Sequence, residues 1–151
     1  MTRTRALLAV IVLLVGLGGY ATYAQVARPY HDGSVWSLAF IKVKPGMNTA
    51  YLDYLAADWK KEQEAMKAAG ITLSYKVIGV EAHTPAEWNL MLMTEYKNLA
   101  AMEASADKAD ALGQKLFGSD QKMMQGYRDR LEIREVLGDR LGREIILEPK
   151  K

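Results

Sequence analysis

The stretch Trp88-Asn89-Leu90-Met91-Leu92-Met93-Thr94-Glu95-Tyr96-Lys97 decides the fold. Its centre, Leu90 to Met93, is apolar at both parities. Successive side chains of a strand point to opposite faces. A strand here is therefore covered on both sides. A buried helix is the rival assignment, but the run is short, Thr94 and Tyr96 favour strand, and turn residues precede it.

Working outward, Ile71–Val80 alternates, with Ile71, Leu73, Tyr75 and Val77 on one face and Thr72, Ser74 and Lys76 on the other. It reads as a strand with one partly exposed face. The turn Glu81–Glu87, containing Pro85, makes it the hairpin partner of the opening stretch. Upstream, Val35–Val43 (V-W-S-L-A-F-I-K-V) is again largely apolar at both parities, and Pro45-Gly46 stops it.

A helix is expected over 48–69. Asn48 or Thr49 can cap it, Tyr51, Leu52, Leu55, Trp59 and Met66 form its stripe, and Gly70 suits its end. A second helical region, capped by Asn98, carries Leu99, Met102, Ala106, Ala109, Leu112 and Leu116 at helical spacing and ends at Gly118. Ser119 or Asp120 starts a third helix with Met123, Met124 and Tyr127. Leu131–Leu137 is expected as a strand, Gly138-Asp139 as a turn, and Glu144–Leu147 as a short β segment.

The resulting order, β-α-β-β-α-(α)-β-β, is an α+β, ferredoxin-like split βαβ arrangement with an antiparallel sheet. Helices cover one face of such a sheet, and the other is normally polar. Here two strands are apolar on both faces, and the chain has too little left to cover the second. A second copy of the chain, a homodimer through the sheet face, is the economical cover.

The N-terminus has the build of a signal peptide. Arg3 and Arg5 form a basic start, Ala6–Leu17 is a continuous apolar run, and small residues lead to Ala24. The expected organisation is a signal segment or membrane anchor at 1–24, a linker at 25–34 and one domain at 35–147. This implies export to a periplasmic or secreted location, with membrane attachment only if the segment stays uncleaved. Of the 20 basic residues, Arg3 and Arg5 lie in that segment, which leaves 18 against 18 acidic residues. No clustered basic excess remains, so nucleic acid is not an expected partner. With no cysteine, thiolate nucleophiles and Cys-ligated metals are excluded.

The strand V-W-S-L-A-F-I-K-V-K-P-G ahead of a Tyr/Leu/Trp-striped helix, the passage A-A-G-I-T-L-S-Y and the paired-face third strand resemble the dimeric α/β-barrel proteins. This ferredoxin-like group includes antibiotic-biosynthesis monooxygenases, stress-responsive barrel proteins and NIPSNAP-like proteins. The resemblance covers Val35 to about Leu137, and Gly138–Lys151 extends past it. It implies two sheets meeting face to face and a cavity between sheet and helices.

Several residues are candidates for chemistry. His83, in the hairpin turn, is the default acid–base type. The resemblance to cofactor-independent monooxygenases, which position aromatic substrates with Asn, Trp and Tyr, adds Trp36, Tyr75 and Asn89. Tyr51, Trp59, Met91 and Met93 are candidates for lining a ligand cavity. Each also has a structural explanation: turn or cap for His83 and Asn89, core packing for the aromatic residues and methionines. His31 and His83, with Asp32 or Glu87, are the only histidine-based metal set, and no ligand spacing supports it. Some relatives hold haem through a late histidine. No histidine follows His83 here, and Tyr127 is the only substitute considered. No cofactor or metal is expected. The leading expectation is a homodimer binding a small apolar ligand. The alternatives are a cofactor-independent monooxygenase or isomerase acting on aromatic or polyketide-like compounds, and a structural envelope protein.

Overall fold

The computed structural model describes residues 28–149; the signal segment and its cleavage point lie outside them. The elements are β1 (Tyr30–Val43), α1 (Asn48–Tyr54), a π-helical turn (Leu55–Trp59), α2 (Lys60–Ala68), β2 (Ser74–Gly79), β3 (Leu90–Tyr96), α3 (Leu99–Ala104), α4 (Ala106–Phe117), α5 (Asp120–Arg130) and β4 (Arg134–Leu147). Among the described residues no helix is long and apolar enough to cross a membrane.

The strands form one antiparallel sheet in the order β2-β3-β1-β4. The two strands that are apolar at both parities, β1 and β3, are therefore the central pair. Ile41 stands opposite Leu90 and Ala39 opposite Leu92, and these face the helices. Phe40 stands opposite Met91 and Leu38 opposite Met93, and these face the other way. The core on the helix side joins Ile41, Val43 and Leu90 to Tyr51, Leu55 and Trp59. Burying each such side chain contributes on the order of 1.5–3 kcal/mol.

The sheet-facing line of the first helix runs Tyr51, Leu55, Trp59, Gln63, all buried and spaced strictly by four. Positions four apart in a regular α-helix advance about 40° around the axis, so three steps would swing Gln63 about 120° from Tyr51. The π turn at Leu55–Trp59, bonded i→i+5, takes up that drift. Gln63 consequently still reaches the sheet, where its Oε1 accepts from Thr94 Oγ1 at 3.1 Å.

Helix ends follow local chemistry. Asn98 accepts from the Ala101 N–H at 2.7 Å, and Ser119 from the Lys122 N–H at 3.3 Å. Gly70 and Gly118 adopt φ of 69° and 98° after their helices, a region other residues avoid. Three boundaries differ from expectation. Neither Asn48 nor Thr49 caps α1, which starts without a side-chain cap. The second helical region breaks at Ser105, whose Oγ donates to the carbonyls of Ala101 and Met102 at 2.8 and 3.0 Å and competes with the helical ladder.

The third difference is larger. Gly138-Asp139 is not a turn, and 30–34 is not a free linker. β4 runs unbroken to Leu147 because β1 extends back to Tyr30 and offers it a partner throughout. Leu137 is accommodated in a bulge between the pairs Ile41–Val136 and Phe40–Gly138. A second bulge holds Gly33 and Ser34, where a Cβ on Gly33 would lie 2.6 Å from Glu144 Oε2. Tyr30–Asp32 and Ile145–Leu147 pair beyond the end of β3 as a two-stranded ribbon. His31 Nδ1 lies 2.8 Å from Glu148 Oε1, and Arg143 pairs with Asp32 at 2.8 Å.

Candidate functional site

Helices α1 and α5, the π turn and the inner face of the sheet enclose a cavity of about 210 Å³. Tyr51, Tyr54 and Trp59 enter it from the first helix, Tyr127 from α5, and Arg134, Val136 and Asp139 from β4. Ala39, Ile41 and Leu92 form its floor. Arg134 and Val136 share a parity on β4, so the strand that supplies an apolar wall also turns an arginine inward. Arg134 is 7% exposed, and its guanidinium carbon sits 5.5 Å from the ring centres of both Tyr51 and Tyr127.

The polar groups here are donors without acceptors. Tyr51 is fully buried and its hydroxyl has no hydrogen-bond partner among the described residues. The Nε of Arg134 has none either. Burial pushes the Tyr51 phenol up to about 12, against the opposing pull of Arg134, so the hydroxyl keeps its proton. A second depression of about 290 Å³ shares Tyr54 as a wall and adds Asp58, Glu62, Lys122, Met123 and Arg130. There Arg130 stacks 4.4 Å over Tyr54. Burial raises Glu62, and Arg130 works against that shift.

The sequence-level candidates fall in different places. Tyr51 and Trp59 line the cavity. Met91 and Met93 do not. Their parity puts them on the opposite face of the sheet. Trp36 lies on that face too, with Lys76 Nζ 5.2 Å from its ring centre. Tyr75 packs edge-on against Trp59 at 5.3 Å, and its hydroxyl donates to Glu64. Asn89 Oδ1 accepts the Val43 N–H at 2.9 Å. His83 is in an exposed turn, its N–H donating to Glu87 at 2.8 Å. Trp36, Tyr75 and Asn89 thus converge on no common cavity, which the monooxygenase alternative requires. Tyr127 does line the cavity. Among the described residues no group of three or more His, Asp or Glu is placed to hold a metal ion. Arg134, Tyr54 and Asp139 were absent from the sequence-level site.

The open face of the sheet is the other notable surface. Trp36, Leu38, Phe40, Met91 and Met93 form an apolar centre, with Trp88 edge-on to Phe40 at 5.1 Å. Charged groups ring it: Lys42 with Glu135 at 3.3 Å, Lys76, and Glu95 with Ser74. No described helix packs on this face.

Comparison with solved structures gives the same architecture. HapK from Hahella chejuensis superposes with a TM-score of 0.50 at 9% identity, covering 73% of this chain and 91% of that one. The fold is ferredoxin-like. A dimeric ferredoxin-like protein from an uncultured marine organism matches with a TM-score of 0.49 at 12% identity, over 80% of this chain and 93% of that one. A NIPSNAP family protein from Agrobacterium tumefaciens matches with a TM-score of 0.45 at 10% identity, over 78% and 92%. No protein-family model and no curated protein sequence matches the chain. At these identities the ferredoxin-like fold is what is shared, and the fold alone assigns no activity.

Proposed function

We propose that the protein is an exported homodimer that binds a small, largely apolar ligand between its sheet and its helices. The observation that carries the ligand part is the cavity walled by Tyr51, Tyr54, Trp59 and Tyr127. Binding sites are concave and mostly apolar, with a few convergent polar groups. At about 210 Å³ this one suits a compact molecule, since pockets for drug-sized ligands run about 300–1,000 Å³. No histidine reaches it, and its phenol is held protonated, so the site supports binding better than proton transfer.

The dimer part rests on the open face, whose apolar centre and charged rim have the anatomy of an interface. The ribbon Tyr30–Asp32 with Ile145–Leu147 would reach towards the partner, and its Ile145 and Leu147 are 59% and 79% exposed. Export rests on the basic-apolar-small pattern of residues 1–24.

Native mass spectrometry of protein purified from its own host tests the whole reading. A dimer mass, a retained small molecule and an N-terminus near residue 25 are expected. A ligand-free monomer with an intact N-terminus would refute all three parts. Phe40→Glu, which puts a charge at the centre of the open face, should give monomers by light scattering at micromolar concentration while leaving the fold intact by circular dichroism.

A further inference from the structure

We propose that the ligand carries a carboxylate, held by Arg134 and the Tyr51 hydroxyl at the inner end of the cavity, with an aromatic body against Trp59 and Val136. The inference rests on the ligand-binding reading above and names the chemical class it admits.

Arg134 is more than nine-tenths buried, and no carboxylate lies within 4.0 Å of its guanidinium among the described residues. A buried charge without a counter-ion is costly, and buried arginines are normally paired. The flanking rings of Tyr51 and Tyr127 offset part of that cost through their faces. They do not supply an acceptor. The Tyr51 hydroxyl, fully buried and without a partner, stands in the same cavity. Two orphaned donors side by side, one of them cationic, call for an acceptor that arrives from outside.

Carboxylate fits better than the other small anions. A guanidinium pairs with a planar carboxylate through parallel hydrogen bonds. A phosphate dianion would bring more charge than one arginine offsets, and it would lie in a cavity that Asp139 also lines. Arg130 does not compete for this role, because Glu62 lies in its own depression. The rest of the cavity is aromatic and aliphatic, which suits a ring and not a sugar. The vacant pair also explains why the protein tolerates a buried unsatisfied hydroxyl, which for stability alone a phenylalanine would replace.

The test uses the full chain with benzoate, its uncharged isostere benzyl alcohol, and inorganic phosphate, read by isothermal titration and by shifts of cavity resonances in NMR. Benzoate is expected to bind about 10- to 100-fold more tightly than benzyl alcohol, the scale of one charge-assisted hydrogen-bonded pair. Arg134→Gln should remove that preference and leave benzyl alcohol binding unchanged. Tyr51→Phe should weaken benzoate several-fold without lowering the unfolding midpoint, a combination that a merely structural tyrosine would not give. It also serves if Arg134→Gln fails to fold. Equal affinity for benzoate and benzyl alcohol would overturn the carboxylate claim while leaving an apolar ligand site standing. Phosphate binding as tight as benzoate would overturn it in favour of a general anion site. Failure of both aromatic probes to perturb the cavity would refute the ligand-binding reading itself.

Discussion

Replacing Asn89 with alanine removes the acceptor that holds the end of β1. The ladder between β1 and β3 ends at the pair Ile41–Leu90. Asn89 carries it one step further. Its N–H donates to the Ile41 carbonyl at 2.9 Å, and its Oδ1 takes the Val43 N–H at 2.9 Å. Val43 is 5% exposed and belongs to the core. Without Oδ1 its N–H is left without a partner, which costs about 1–3 kcal/mol for a buried donor. The bond itself is only partly buried, so the lower half of that range, about 1–2 kcal/mol, is expected. Asn89→Asp keeps an oxygen in place and should lose less than about 1 kcal/mol. Urea denaturation at fixed protein concentration reads both values, with an unchanged m-value expected. Hydrogen exchange supplies the local check, because the Val43 amide should lose protection selectively. A loss under about 0.5 kcal/mol for Asn89→Ala, or a Val43 amide still protected in that variant, would refute the reasoning.

Two further outcomes follow from burial. Ile41→Ala, at the centre of the sheet and 1% exposed, should cost about 2–5 kcal/mol in the same assay, and Ile41→Val about 0.5–1.5. Tyr51 gives the chain a high-pH liability. Its phenol is neutral in both states below pH 10, but from 10 to about 12 the unfolded chain loses a proton that the folded one keeps. Stability therefore falls as pH rises through that window. Tyr54 and Tyr96 are raised in the same direction by burial, so Tyr51→Phe should flatten this decline without abolishing it, as read by urea midpoints across the window.

Much of the architecture was legible because the physics that sets it is local and periodic. Leu90-Met91-Leu92-Met93 and the β1 segment showed apolar residues at both parities, and these became the two central strands. Asn98, Ser119, Gly70 and Gly118 marked helix ends through chemistry that needs no tertiary partner. What failed to show was long-range pairing. Gly138-Asp139 has turn composition, and only the distant Phe40 and Ala39 opposite them keep the strand going. The site was half visible. Tyr51 and Trp59 lay on the helical stripe, but Gln63 shares their line and was set aside as polar. Arg134 was read as the solvent side of an alternating strand. Its parity mate Val136 was the available clue, since two residues apart on a strand face the same way. Met91 and Met93 were assigned to the wrong side of the sheet because an apolar residue on a two-faced strand does not announce which face holds the cavity.

The π turn carries one residue more than a regular helix needs to cross the same distance. Deleting a single residue between Leu55 and Trp59 would yield an ordinary α-helix and break nothing in its backbone, yet everything after it would rotate by about 100°. Gln63 would leave Thr94, and Glu62 would leave its place beside Arg130 and Tyr96. The helix therefore has two threadings of similar backbone cost that present different side chains to the sheet. The Gln63–Thr94 pair keeps the count between them, which makes this turn the position where related chains can differ in length by one residue and in the shape of the cavity beside it.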